Sequence, residues 1–131
     1  MNDNPYRRPA VDGHGPDRGS LFVLAGIGSA LASLYWGALT LLIFLGVAAG
    51  SVSGMQLILP LVLIGLYAVR AFQVFKGDRN AAQRLLWLHG FGGAMALVQI
   101  VSGGPTLIVL QGIKIVIHVF GGVTAYLAQR R

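Results

Sequence analysis

The chain contains no cysteine, which excludes disulfides, thiolate metal sites and cysteine nucleophiles and leaves the redox compartment open. Acid is almost as scarce. Its carboxylates are Asp3, Asp12, Asp17 and Asp78, and none lies in a long apolar run, so general acid–base work by a carboxylate inside such a run is excluded too. Charge of either sign is missing from Gly19 to Val69, from Leu85 to Ile113 and from Ile115 to Gln129. Spans of that length exceed the ~20 apolar residues that a helix needs to cross a bilayer. Alternation is missing as well: Leu61 to Leu66 is apolar throughout, which argues against a transmembrane β-barrel.

What remains is a 131-residue chain, 55% hydrophobic and 11% charged, with a mean hydropathy of +0.70. These values describe one membrane domain and not a soluble core. The 19 glycines suit close helix contacts in lipid. The composition therefore predicts an all-α integral membrane protein, a four-transmembrane-helix antiparallel bundle with a disordered N-terminal tail. The net charge of +6 does not point to nucleic acid, because the bases flank the apolar runs and form no face interleaved with aromatics.

Residues 1–20, rich in Pro, Gly, Asp, Asn and Arg, are expected to form a cytosolic tail in which His14 is solvated. The apolar run behind it is much longer than the ~7–15 residues of a signal peptide, so it should stay attached as the first helix. The membrane domain, 21–131, divides into helices at about 21–49, 55–75, 82–101 and 106–127. In the first, Ser29, Ser33, Trp36 and Thr40 recur at helical spacing and form an inward face. Gly26-Ile27-Gly28-Ser29 has no strand before it and is not a nucleotide loop. Pro60 is expected to kink the second helix. Lys76-Gly77-Asp78-Arg79-Asn80 holds a glycine stop followed by capping candidates. Arg7, Arg8, Arg18, Lys76, Arg79, Arg84, Arg130 and Arg131 all flank one side, whereas the two turns of the other side carry no charge. By the positive-inside rule this is a multi-pass protein of the cell (cytoplasmic) membrane with both termini cytosolic.

The last third repeats a phrase: His89-Gly90-Phe91-Gly92-Gly93, then His118-Val119-Phe120-Gly121-Gly122, with Ala96 and Ala125 at the same later offset. On a helix each copy is a His-Gly-Gly-Ala stripe. The Ser102-Gly103-Gly104-Pro105 turn between them returns the chain antiparallel, so residues whose numbers add to roughly 207 should sit level, His89 opposite His118. The same reasoning puts Arg70 opposite His89 and Ser33 opposite Arg70. A polar layer of Ser33, Arg70, His89 and His118 results, to which the last helix adds Gln111 and Lys114 on the face of His118.

Lys114 is the anomaly, a cation near the bilayer midplane with no acid in any span and no expected partner in its own helices. Such a charge costs a few kcal/mol, so the side chain either reaches toward headgroups or meets an anionic group from a lipid, another subunit or a ligand. For the histidines the plain reading is helix packing, with Gly92-Gly93 admitting a bulky neighbour and Gly121-Gly122 admitting Leu85 or Leu86. The alternative makes His89 and His118 the iron ligands of a b-type haem whose propionates meet Arg70 and Lys114, in an electron-transfer or sensing protein. Passage of protons or anions along Gln111, Lys114 and His118 is a third reading. Arg70, near a helix end, also suits anionic headgroups. With no nucleophile elbow either, the first expectation is a non-enzymatic subunit or scaffold, bound to lipid and to itself or a larger membrane complex through glycine-rich faces.

Overall fold

The computed structural model of the protein describes residues 18–102 and 108–130. Helix α1 runs Arg18–Ala48; a 3-10 turn, Gly54–Leu57, leads into α2, Ile58–Phe75; α3 is Arg79–Ser102 and α4 is Ile108–Arg130. All four are long and apolar enough to cross a membrane. Of the expected tail only the last three residues are described, and they begin α1. His14, the Gly103-Gly104-Pro105 turn and Arg131 lie outside the described residues.

Two helix ends are built alike. At Gly50 (φ +70) and Gly77 (φ +83) the backbone turns left-handed, a conformation that costs a side-chain-bearing residue. The turn lets Gly50 N–H reach the Val47 carbonyl and Ser51 N–H that of Gly46, while Gly77 reaches Val74 and Asp78 reaches Gln73. Both are Schellman caps, which satisfy carbonyls that the helix leaves unpaired. Asp78 then starts α3, its Oδ1 accepting from the N–H groups of Asn80 (2.8 Å) and Ala81 (3.2 Å). Pro60 departs from expectation. Since α2 begins only at Ile58, the proline falls in the first turn, where its missing N–H would have no intrahelical partner in any case.

The buried positions recur every three or four residues: Leu21, Ala25, Ser29, Ala32 and Trp36 on α1; Tyr67, Ala71 and Val74 on α2; Ala82, Leu85, His89, Gly92 and Ala96 on α3; Lys114, His118, Gly121, Ala125 and Ala128 on α4. This is the stripe by which bundled helices interlock. Helix α1 packs on α2 and α4, and α3 on α4, whereas α2 and α3 approach each other sparingly. Contacts pair rising with falling numbers, as in Gly26 with Phe75 and Ser33 with Ile64. Burial is lopsided. Beyond Trp36 on α1, beyond Ala96 on α3 and before Lys114 on α4 no described residue is buried, and before Tyr67 on α2 only Pro60 is, so the bundle is dense toward the Arg18, Asp78 and Arg130 end and looser at the other.

Candidate functional site

The two copies of the repeated phrase pack on one another reciprocally. A Cβ placed on Gly92 would stand 2.5 Å from Cε1 and Nε2 of His118, and one on Gly121 would collide with the same atoms of His89. Each imidazole therefore lies on the first residue of the Gly-Gly pair of the other copy. The register differs from the level-matched one by about one turn of ~3.6 residues, since the glycine and not the histidine is what stands opposite. The expected neighbours Leu85 and Leu86 do not take that place. The rings nevertheless meet, leaning together with Nδ1 to Nδ1 at 3.0 Å and centroids 5.3 Å apart. Gly28 of α1 presses on Gly121 from the other side, where its own Cβ would come 2.6 Å from the Gly121 Cα.

A polar chain runs through this pair. Ser29 donates to the Ala25 carbonyl (3.1 Å) and its Oγ lies 3.4 Å from His89 Nε2. Tyr67 donates to the Leu88 carbonyl (3.1 Å), and its hydroxyl lies 3.4 Å from His118 Nδ1. Having given its own proton to Ala25, Ser29 accepts from His89 Nε2–H; His89 Nδ1 is then an acceptor, and His118 Nδ1–H points between it (3.0 Å) and the Tyr67 oxygen (3.4 Å), whose own proton is on Leu88. Nε2 of His118 is left buried without a partner.

The expected layer is thus replaced one turn away on two helices: Ser29 stands where Ser33 was placed, and Tyr67 where Arg70 was. Ser33 is half-buried and donates to the Ile64 carbonyl at 3.4 Å. Arg70 is half-buried, and its Nη1 donates to Gln73 Oε1 at 2.6 Å. The physical reason is that a guanidinium has no acid to meet inside this bundle, whereas the phenol needs a single acceptor and finds it on Leu88.

Lys114 forms a second centre on the α4 stripe, one turn from His118. It is 3% exposed, and its ammonium is held inside, donating to Gln99 Oε1 at 3.4 Å and lying 4.8 Å over the Trp36 ring. The expectation of no partner in its own helices is thereby corrected: an amide and an indole face stand in for the missing acid. Gln111, one turn before Lys114, is half-buried with its Oε1 unpartnered, and so is Nε1 of Trp36, a residue 8% exposed. Two cavities meet here. One of about 180 Å³ lies among Leu63, Tyr67, Leu88, Phe91 and Met95; the other, of about 650 Å³, reaches the open end past Gln56, Ser102 and Gln111. Both are lined by Trp36, Leu59, Gln99 and Lys114.

Tyr67 and Gln99 carry much of this geometry yet were not singled out from sequence. A signal existed for Gln99, which extends the His89, Gly92, Ala96 stripe by one more step of three. Tyr67 was the only hydroxyl in the second apolar run.

The closed histidine pair does not fit a haem. An iron held by both rings would need nitrogens roughly 4 Å apart, two bonds of ~2.0 Å, and a slot for the macrocycle. Here the rings touch at 3.0 Å and rest on glycine backbone. Among the described residues no group of three or more His, Cys, Asp or Glu could hold a metal ion. Comparison with protein-family models, curated proteins and solved structures finds no match to this chain.

Proposed function

We propose that the protein is a four-span antiparallel bundle of a cytoplasmic-type membrane, with both termini and the Asp78 loop cytosolic, that acts without catalysis as a subunit of a membrane assembly. The observation that carries this reading is how the repeated glycines are spent. Gly92 and Gly121 are used up beneath the imidazoles, while Gly90, Gly93 and Gly122 line a groove of about 450 Å³ made by α3 and α4 alone. A shallow glycine-floored groove lets a helix backbone approach closely, which is how helices associate in lipid. We assign that seat to a second copy of the chain, because the near-equivalent repeats on its two walls suit a twofold contact. Conduction is less well supported, since Leu21, Phe22, Ala82 and Leu85 fill the bundle at its terminal end.

Size-exclusion chromatography of the detergent-purified chain, read in the ultraviolet and in the Soret region, tests this. A colourless dimer or larger species is expected, and Gly90→Trp, at a position with open space around it, should convert it to monomer. A wild-type protein that is monomeric at every concentration would end the self-assembly reading. A Soret band lost in His89→Ala/His118→Ala would replace it with haem.

A further inference from the structure

The cavity at Lys114 has the form of a ligand site. Its head region gathers hydrogen-bond donors in excess of acceptors. Lys114 offers three N–H groups and uses one on Gln99, and Trp36 Nε1–H has no acceptor; of the Gln111 amide it is the acceptor Oε1 that stands unsatisfied, and rotation of the amide would turn its N–H groups to the same point. Lys114 and Trp36, from α4 and α1, line both cavities where they meet, and Gln111 of α4 lines the larger one beside them. No carboxylate of the chain lies in any of the four helices, Asp78 being the cap just before α3. Buried donors without acceptors are costly, so what completes them is an anion. The smaller cavity says what the anion carries with it, because its walls are leucine, phenylalanine and methionine.

We propose that this cavity binds an amphipathic anion, a long-chain carboxylate whose head group sits on Lys114, Trp36 Nε1 and Gln111 and whose hydrocarbon chain runs along the apolar pocket of Leu59, Leu63, Leu88, Phe91 and Met95. The sparse contact between α2 and α3 provides the way in from the acyl region of the membrane. The anion comes as a guest and not as an acid on a neighbouring subunit's surface, since Lys114 is 3% exposed behind its own helices. This site is independent of the α3–α4 groove, with which it shares no lining residue.

The test is fluorescence titration of the full chain in a non-ionic detergent, with Trp87→Phe leaving Trp36 as the single reporter. Oleate should perturb the emission saturably, whereas oleyl alcohol and acetate, which each lack one half of the ligand, should not. Lys114→Met should weaken oleate binding about tenfold or more, the scale of one lost charge-assisted contact. Leu63→Phe, which narrows the apolar pocket without touching Lys114, should weaken it as well, and covers the case in which the lysine variant fails to fold. An equal response to oleyl alcohol, or unchanged oleate affinity in both variants, would overturn the proposal. A response to acetate or inorganic phosphate matching that of oleate would overturn the hydrocarbon part.

Discussion

At the scale of residues, the reciprocal seating of two imidazoles on two glycines makes a prediction that no single substitution could test. Gly92→Ala places a methyl against His118 and Gly121→Ala against His89, so each should destabilise the bundle by about 1–3 kcal/mol, the usual cost of overpacking. The couplings should be crossed. His118→Ala should relieve Gly92→Ala but not Gly121→Ala, and His89→Ala the reverse, as measured by thermal unfolding in detergent across the double-mutant cycles. Relief within the same copy of the repeat would refute the pairing. At Lys114 the ammonium is buried against Trp36 and Gln99, so Lys114→Met, which removes a desolvated charge while keeping the stem's volume, should unfold at or above the wild-type temperature. Lys114→Glu should unfold lower, because a carboxylate would face the carbonyl end of Gln99 and the π face of Trp36. Equal behaviour of the two variants would remove the electrostatic argument for an anion at this position.

At the scale of elements, the connections do as much as the spans. The Lys76 to Asn80 link closes α2 on a left-handed glycine and opens α3 on a carboxylate within a few residues. Asp78→Ala should cost about 1 kcal/mol, as loss of an N-cap does. Pro60→Ala should change stability little, because the proline occupies a first turn that asks nothing of its N–H. Thermal melts of the two variants side by side check both statements. A large loss in Pro60→Ala would mean that the packing of this buried ring in the wall of the outer cavity, which it lines, outweighs the indifferent backbone.

At the scale of the molecule, the bundle resembles a cup. Its terminal end is filled with alanine, leucine and phenylalanine, the histidine pair lies beneath the cavity, and Lys114 stands at the cavity's narrowing. On the membrane reading proposed above, helices gain little from hydrophobic transfer against each other, and what holds the dense half is close packing and the few interhelical hydrogen bonds through Ser29, Tyr67, His89 and His118. The start of α1, the end of α4 and the Asp78 loop belong to the dense end, with Lys76, Arg79, Arg84 and Arg130. Reporter fusions at residue 1, residue 131 and the Asp78 loop should all report the cytosol. An external C-terminus with a cytosolic residue 1 would require an odd number of crossings and would overturn the four-span reading, and both ends external would overturn the orientation.

The sequence by itself determined the four apolar helices, the repeated His-Gly-Gly stripe and the oddity of a lysine among them, since each depends only on residue type and helical period. Its level-matching arithmetic brought His89 and His118 into one layer, but only the tertiary structure decided the register, because loops and inclined side chains shift a helix by a turn at no cost that local spacing records. That shift decided the company the histidines keep. Ser29 and Tyr67 face them, while Ser33 and Arg70 turn to Ile64 and Gln73. The cavity was also beyond the sequence. It exists because α2 and α3 do not close on each other, and no pattern of apolar residues distinguishes a helix face that meets a neighbour from one that is left open to a guest.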